Sequence, residues 1–268
     1  MIPYNFEYTR AKSLSEAQAM LAKNPDAKLL AGGQTLIPTM KMRLANPSAL
    51  IDISKLEELS FIRASGDTLT IGATTKHGMI AASADVKRMI PALAHMASHI
   101  GDPAVRAMGT IGGSLANNDP AADYPAAALA LNATIKTTKR EIKADDFFTG
   151  MFSTALEDGE IITEISFPKP DRGGYTKFCN PASRYPMAGV FVAQTKNGVR
   201  VGVTGAGPGV FRVEAMEAAL AKNFTPDAVA NIAVASDNLN SDIHATAEYR
   251  AHLVTVMAKR AVEHALAA

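Results

Sequence analysis

MGTIGGSLANNDPAADYPAAALALNATI, residues 108–135, is the stretch on which the fold turns. Gly109, Gly112 and Gly113 stand among small polar residues, Asp119 and Asp123 bracket Pro120, and an alanine-rich helix begins only after them. An ordinary turn needs one or two such residues. A run of this length reads as backbone laid against a ligand, because glycine lets main-chain N–H groups approach closely. Thr110, Ser114 and Asn117 add hydroxyl and amide groups beside them.

A second stretch carries the same residue types. LLAGGQTLIP, residues 29–38, joins an apolar strand to a helix N-terminus, with Gln34 and Thr35 after the glycine pair. Unpaired N–H groups and the helix dipole suit an anion there. Neither stretch contains a lysine or the GxxxxGK[ST] pattern of a triphosphate loop. An anion would be held by backbone and hydroxyls, which fits a diphosphate ester that is never cleaved. Each stretch alone also reads as an ordinary glycine turn. Together they predict two loops closing on one diphosphate from two domains, with Asp119 and Asp123 accepting from ribose or ribityl hydroxyls. VTGAGPGVFR, 203–212, imitates a dinucleotide fingerprint, but Pro208 removes a donor that the fingerprint needs, so it reads as a turn.

Around these loops the pattern is α+β. SLSEAQAMLAK, 13–23, predicts a helix with Ser13 and Glu16 as a capping box. Residues 27–33 predict a buried strand, 36–46 a helix, and 49–56 a second strand and turn. FIRASGDTLTIGATT, 61–75, alternates around a Gly66-Asp67 turn. Helices follow over 76–84 and 86–99. TIKTTKREIKADDFF reads as exposed strands, and 160–168 as another strand. Beyond PKPDRGG, strands pair across Asn197-Gly198 and a long helix spans 247–267. The expected units are 1–56, 57–170 and 171–268.

Composition removes other classes. The 268 residues are 47% hydrophobic with net charge +1, so a sizeable core is expected and no field for nucleic acid. No apolar run reaches the roughly 18 residues of a membrane span, and the first residues show no secretory pattern, which predicts a cytoplasmic protein. Cys179 is the one cysteine, so this chain cannot itself hold a four-cysteine iron–sulfur cluster. His95 and His99 have i, i+4 spacing without a third ligand, and read as a helix face rather than a metal site. Met40, Met42, Met79, Met89 and Met96 read as core.

AGGQTLIPTMKMRLANPSALIDI, TIGGSLANNDPAADYPAA, EIITEISFP and KFCNPASRYPMAGV together resemble the FAD-binding medium subunits of molybdenum hydroxylases, nearest to the carbon monoxide dehydrogenase type. The resemblance covers essentially the whole chain in order. It implies the FAD-binding fold shared with vanillyl-alcohol oxidase (the PCMH type), two α+β subdomains, followed by a C-terminal α+β domain of the CO dehydrogenase flavoprotein type. It implies FAD held by Ala31, Gly32, Gly33, Gln34, Thr35 and Leu36 and by Thr110, Ile111, Gly112, Gly113, Ser114 and Asn117. Asp123 would meet ribityl or ribose hydroxyls, Ile162 or Ile161 would pack near adenine or flavin, and Lys177 would lie near the flavin ring.

The implied partners are a molybdenum-cofactor large subunit and a [2Fe–2S] small subunit, as a dimer of heterotrimers. Electrons would pass from the clusters to FAD and on to a quinone, NAD+ or O2. No catalytic nucleophile, base or metal ligand is expected in this chain. Tyr4, Tyr124, Arg184 and Tyr185 have two readings, a place near the flavin and, in preference to it, an ordinary surface or core position. Two other readings are a stand-alone flavoprotein oxidoreductase and a flavin-free scaffold of the same complex.

Overall fold

The computed structural model describes residues 2–267. Met1 and Ala268, the outer ends of the first and third expected units, lie outside the described residues. The chain begins with β1 (Glu7–Arg10), α1 (Leu14–Lys23), β2 (Lys28–Leu30), α2 (Leu36–Lys41) and β3 (Ala49–Asp52). The three strands form a parallel sheet in the order β1-β3-β2. Ser13 caps α1, its hydroxyl accepting from Glu16 N at 3.2 Å, while the Glu16 carboxylate turns back to Lys12 N at 2.6 Å. Ala17, Ile51, Ile53 and Leu56 form a small core that Ile161 joins from later in the chain.

Two expectations change here. β2 is not buried: Lys28 is exposed and Leu29 and Leu30 are half-buried, because the strand is a sheet edge. The second helix stops at Lys41, not 46. Arg43 takes φ +60°, and Leu44 N donates to Thr39 O while Arg43 N donates to Met40 O. That pair of bonds is a Schellman stop with arginine in the left-handed position.

Next come β4 (Ile62–Ser65), β5 (Thr68–Gly72), α3 (His77–Ala82), α4 (Ala84–Met89), α5 (Pro91–Ser98), α6 (Pro103–Met108), α7 (Ile111–Asn117) and α8 (Tyr124–Ala130). They are followed by β6 (Thr134–Thr137), β7 (Glu141–Lys143), α9 (Ala144–Phe147), β8 (Phe148–Gly150), β9 (Ser153–Thr154) and β10 (Ile162–Pro168). An antiparallel sheet runs β4-β5-β10-β6-β7. Leu69, Ile71, Ile135, Ile165 and Phe167 pack it against Leu93, Met96 and Leu129 of the helices.

The sequence reading missed breaks and helices in this region. The second of the two expected helices is split at Pro91, which has no N–H to continue it. Residues 144–147 form a helical turn rather than strand, and the strands before it turn Ile135 and Ile142 into the core. Most consequentially, the glycine-rich 111–117 is itself a helix. Thr110 caps it, and its first turn docks on the end of β5 through Gly112 N to Ala73 O at 2.8 Å. Tertiary pairing overrides the poor helix propensity of two glycines. Met40, Met89 and Met96 are core as expected, but Met42 and Met79 are exposed.

The chain ends with β11 (Arg172–Cys179), β12 (Pro186–Thr195), β13 (Gly198–Thr204), β14 (Phe211–Arg212), α10 (Glu214–Lys222), α11 (Pro226–Val229) and α12 (Ala247–Ala267). The four strands pair antiparallel in sequence order. One face carries α12, so closely that a Cβ on Gly174 would overlap Ala261 O and lie 2.7 Å from Ala265 N. The other face covers α8, every residue of which is buried. Alanine is what permits α8 to be enclosed all round. Tyr175 and Phe191 therefore belong to the core built on the β4–β10 sheet.

Two outcomes are expected. Gly174→Ala forces α12 off its sheet and costs about 1–3 kcal/mol of overpacking, read by chemical denaturation. Glu160 accepts from Thr137, Arg140 and Glu157 N. Burial alone would raise its carboxyl, but these bonds outweigh it and hold it at about 2, below the ordinary 4.5. Its contribution is complete above about pH 4.5 and is lost as pH falls towards 2. Glu160→Gln will therefore flatten this part of the acid-unfolding curve.

Candidate functional site

The two glycine stretches meet. A Cβ on Gly32 would overlap Met108 O and lie 2.7 Å from Gly109 Cα, so only glycine allows this approach. Beside the contact opens a cavity of about 430 Å³, within the range of cofactor sites. Residues 28–36 form one wall, and 73–77 with 109–123 the other. Ile53, Ile161 and Ile162 provide apolar lining, and Tyr185 reaches in from the C-terminal part.

The two loops differ in chemistry. Among the described residues, the backbone N–H groups of Gly32, Gly33, Gln34, Thr35 and Leu36 have no protein acceptor. Gly33, at φ +69°, turns the chain between β2 and α2. In the second stretch the donors are spent: Ile111 N on Thr75 O, Gly112 N on Ala73 O, Gly113 N on Thr110 Oγ1 and Ser114 N on Thr110 O. The expected second amide cradle is thus corrected to a surface of hydroxyl, amide and bare Cα. Gly113 is exposed to the cavity, and a Cβ there would meet only Thr110 Oγ1, at 2.9 Å.

Ala31, Gly32, Gly33, Gln34, Thr35, Leu36, Thr110, Gly112, Gly113, Ser114, Asn117, Asp123 and Ile162 line the cavity. Ile111 does not: it is fully buried in the core. Lys177 does not either. Its Nζ lies 2.9 Å from Asp123 Oδ1 and donates to His99 O at 2.9 Å, with the side chain 4% exposed. Asp123 also accepts from Tyr175 Oη at 2.5 Å. Burial pushes its carboxyl up, against the pull of Lys177 and the Tyr175 hydroxyl. Lys177 thus acts on the cavity through Asp123. Asp119 lines the wall as well, one carboxylate oxygen accepting from Ala121 N at 2.8 Å.

Sequence reasoning missed Thr74 and His77, which also line the cavity. They lie in ATTKH, beyond any glycine motif, and only the pairing of 73–77 with 109–112 brings them in. Thr74 Oγ1 and His77 Nδ1 are buried without a hydrogen-bond partner, as is the Tyr124 hydroxyl whose ring stacks 5.3 Å from His77. A buried polar group left unpaired costs about 1–3 kcal/mol. Five free amides, two orphaned side chains and apolar ends describe a site shaped for a large ligand with a polyanionic middle.

Residues 4–170 match the family described as FAD binding domain in molybdopterin dehydrogenase. The chain belongs to this family. Residues 185–265 match the CO dehydrogenase flavoprotein C-terminal domain. The chain is 38% identical to the carbon monoxide dehydrogenase medium chain of Hydrogenophaga pseudoflava, covering 100% of this chain and 99% of that one. It is 37% identical to the glyceraldehyde dehydrogenase medium chain of Sulfolobus acidocaldarius, over 97% and 98%. Its structure resembles that of reconstituted CO dehydrogenase from Oligotropha carboxidovorans at TM-score 0.92 and 34% identity, covering 100% and 99%. The fold is the expected FAD-binding type with a C-terminal flavoprotein domain, and FAD is the cofactor of this oxidoreductase subunit. No helix among the described residues is long and apolar enough to cross a membrane.

The donor set fits FAD. Unpaired amides suit a diphosphate, carboxylates suit its sugar hydroxyls, and the isoleucines suit a flat ring. Gly113→Val fills cavity space and presses on the Thr110 cap while leaving helix propensity no worse. FAD affinity is expected to fall at least tenfold with circular dichroism unchanged; full FAD occupancy in the variant would remove Gly113 from the site.

Proposed function

We propose that this chain is the flavin relay of a molybdenum hydroxylase. Bound FAD supplies the ability to accept electrons one at a time and deliver them in pairs. The chain's residues bind and orient it. Amides 32–36 hold the diphosphate, Ser114, Asn117 and the Thr110-capped helix close over it, and Asp123 fixes a hydroxyl. Lys177 sets the charge behind Asp123, Ile111 supports α7 from the core, and Ile162 or Ile161 packs a ring. Units 1–56 and 57–170 grip the cofactor, and 171–268 braces α8 and carries Tyr185.

Electrons would arrive from [2Fe–2S] clusters on a small subunit, themselves fed by a molybdenum-cofactor large subunit, and leave to a quinone, NAD+ or O2. The assembly would be a dimer of heterotrimers in the cytoplasm. The observation that carries the reading is the row of five unpaired amides in residues that line the cavity. They offer a binding site without a paired nucleophile and base. With Cys179 as the only cysteine, the clusters belong to another polypeptide. Medium chains of named multi-subunit dehydrogenases among its relatives support the same division.

The tagged chain purified from its own cells is expected to carry FAD, absorbing near ~450 nm, together with stoichiometric molybdenum and iron by mass spectrometry. FAD without either metal would defeat the relay reading, and a colourless preparation would defeat the flavin reading.

A further inference from the structure

His77 stands outside both glycine motifs, yet it lies where they meet. Its N–H donates to Gly109 O at 3.0 Å, and the missing side chain of Gly109 would sit 2.6 Å from His77 Nε2. The ring lines the cavity, the residue is 5% exposed, and Nδ1 has no partner. The charge balance of the wall is unusual for a diphosphate site. Its ionisable side chains include Asp119, Asp123 and Glu160 but only Lys28 as a fixed cation. Asp123 is answered by Lys177 and Glu160 by Arg140. Neither leaves a cation over for a dianion.

We propose that His77 takes up a proton from solvent when the FAD diphosphate enters the cleft, so that cofactor binding is proton-linked. This rests on the flavin reading above. In the free chain, burial and then the nearby Arg106 hold the imidazole down at about 4, neutral at pH 7. A dianion brought beside it favours the charged form. The titratable groups on the elements packed around His77 leave it as the responsive one. From α6 comes Arg106, a fixed cation, and from α8 the Tyr124 ring, its hydroxyl pushed well up by burial. On α4, Asp85 pairs with Arg88 at the surface, and on α5, His95 stacks on His99 and His264. Lys76, the preceding residue, is partly exposed.

The sign follows. The bound form has the higher pKa, so binding takes up a proton between the free and bound values, and affinity falls as pH rises through that window and is flat above it. The test is FAD titration of the flavin-stripped full chain by flavin fluorescence, between about pH 5.5 and 8.5. It is repeated by calorimetry in two buffers of different ionisation heat. The expected results are a Kd that weakens by up to about tenfold per pH unit across the window and buffer-dependent heat showing proton uptake. His77→Gln is expected to lose both, binding at every pH as the parent does at high pH. A flat parental profile without proton uptake overturns the proposal, as does a slope retained in His77→Gln. If the variant does not fold, parental calorimetry decides alone. Failure to bind FAD at any pH would overturn the flavin reading itself, and is thereby distinct from tight binding without a proton.

Discussion

The close approach of Gly32 to the Met108–Gly109 backbone is the constraint from which the site follows. The first sheet, with its small core, would otherwise meet the larger body only through side chains, which are adaptable and imprecise. A backbone-on-backbone contact has one permitted spacing, because nothing in it can rotate away. It fixes the first loop's amides opposite α7. It also keeps the 109–112 backbone hydrogen-bonded to 73–77, so that one contact defines both walls.

The division of labour between the walls has an electrostatic reason. A loop with five N–H groups that have no protein acceptor leaves its own hydrogen bonding unfinished, which weakens it as structure. The opposite wall is complete: each amide of its first helical turn has a partner, and Thr110 caps it. A rigid wall thus faces a wall that is finished only by its ligand. The same economy of charge runs through the cavity, where Asp123 and Glu160 are paired from behind by Lys177 and Arg140 rather than by cations in the lumen.

The glycine pairs, hydroxyls and Asp123 were readable because their residue types carry the chemistry in themselves. What the sequence concealed depended on partners far along the chain. That 111–117 is helical follows from docking on Ala73, which no local propensity signals. That Lys177 stands behind Asp123 and outside the cavity follows from the C-terminal sheet covering α8, where Gly202 of β13 lies against Ala126 and Tyr175 and Lys177 of β11 reach Asp123. Thr74, just past a strand, and His77, at the start of a helix, look unremarkable until the 73–77 backbone is bonded to 109–112. β2 was misjudged for a simpler reason: an apolar run bounded by glycines is the same whether a strand is central or at an edge facing a cavity.

The enclosure of α8 has a consequence for how the molecule comes apart. This helix is walled in by the core of the β4–β10 sheet on one side and by the β12–β13 hairpin on the other, with Tyr175 and Phe191 shared. Neither neighbour can melt without exposing it. The residues from β4 to α12 therefore behave as one cooperative block in unfolding. The first sheet, with a core of its own, is the part able to open separately. Cofactor escape and early proteolysis would then share a single elementary motion, in which the first sheet swings from an otherwise intact body.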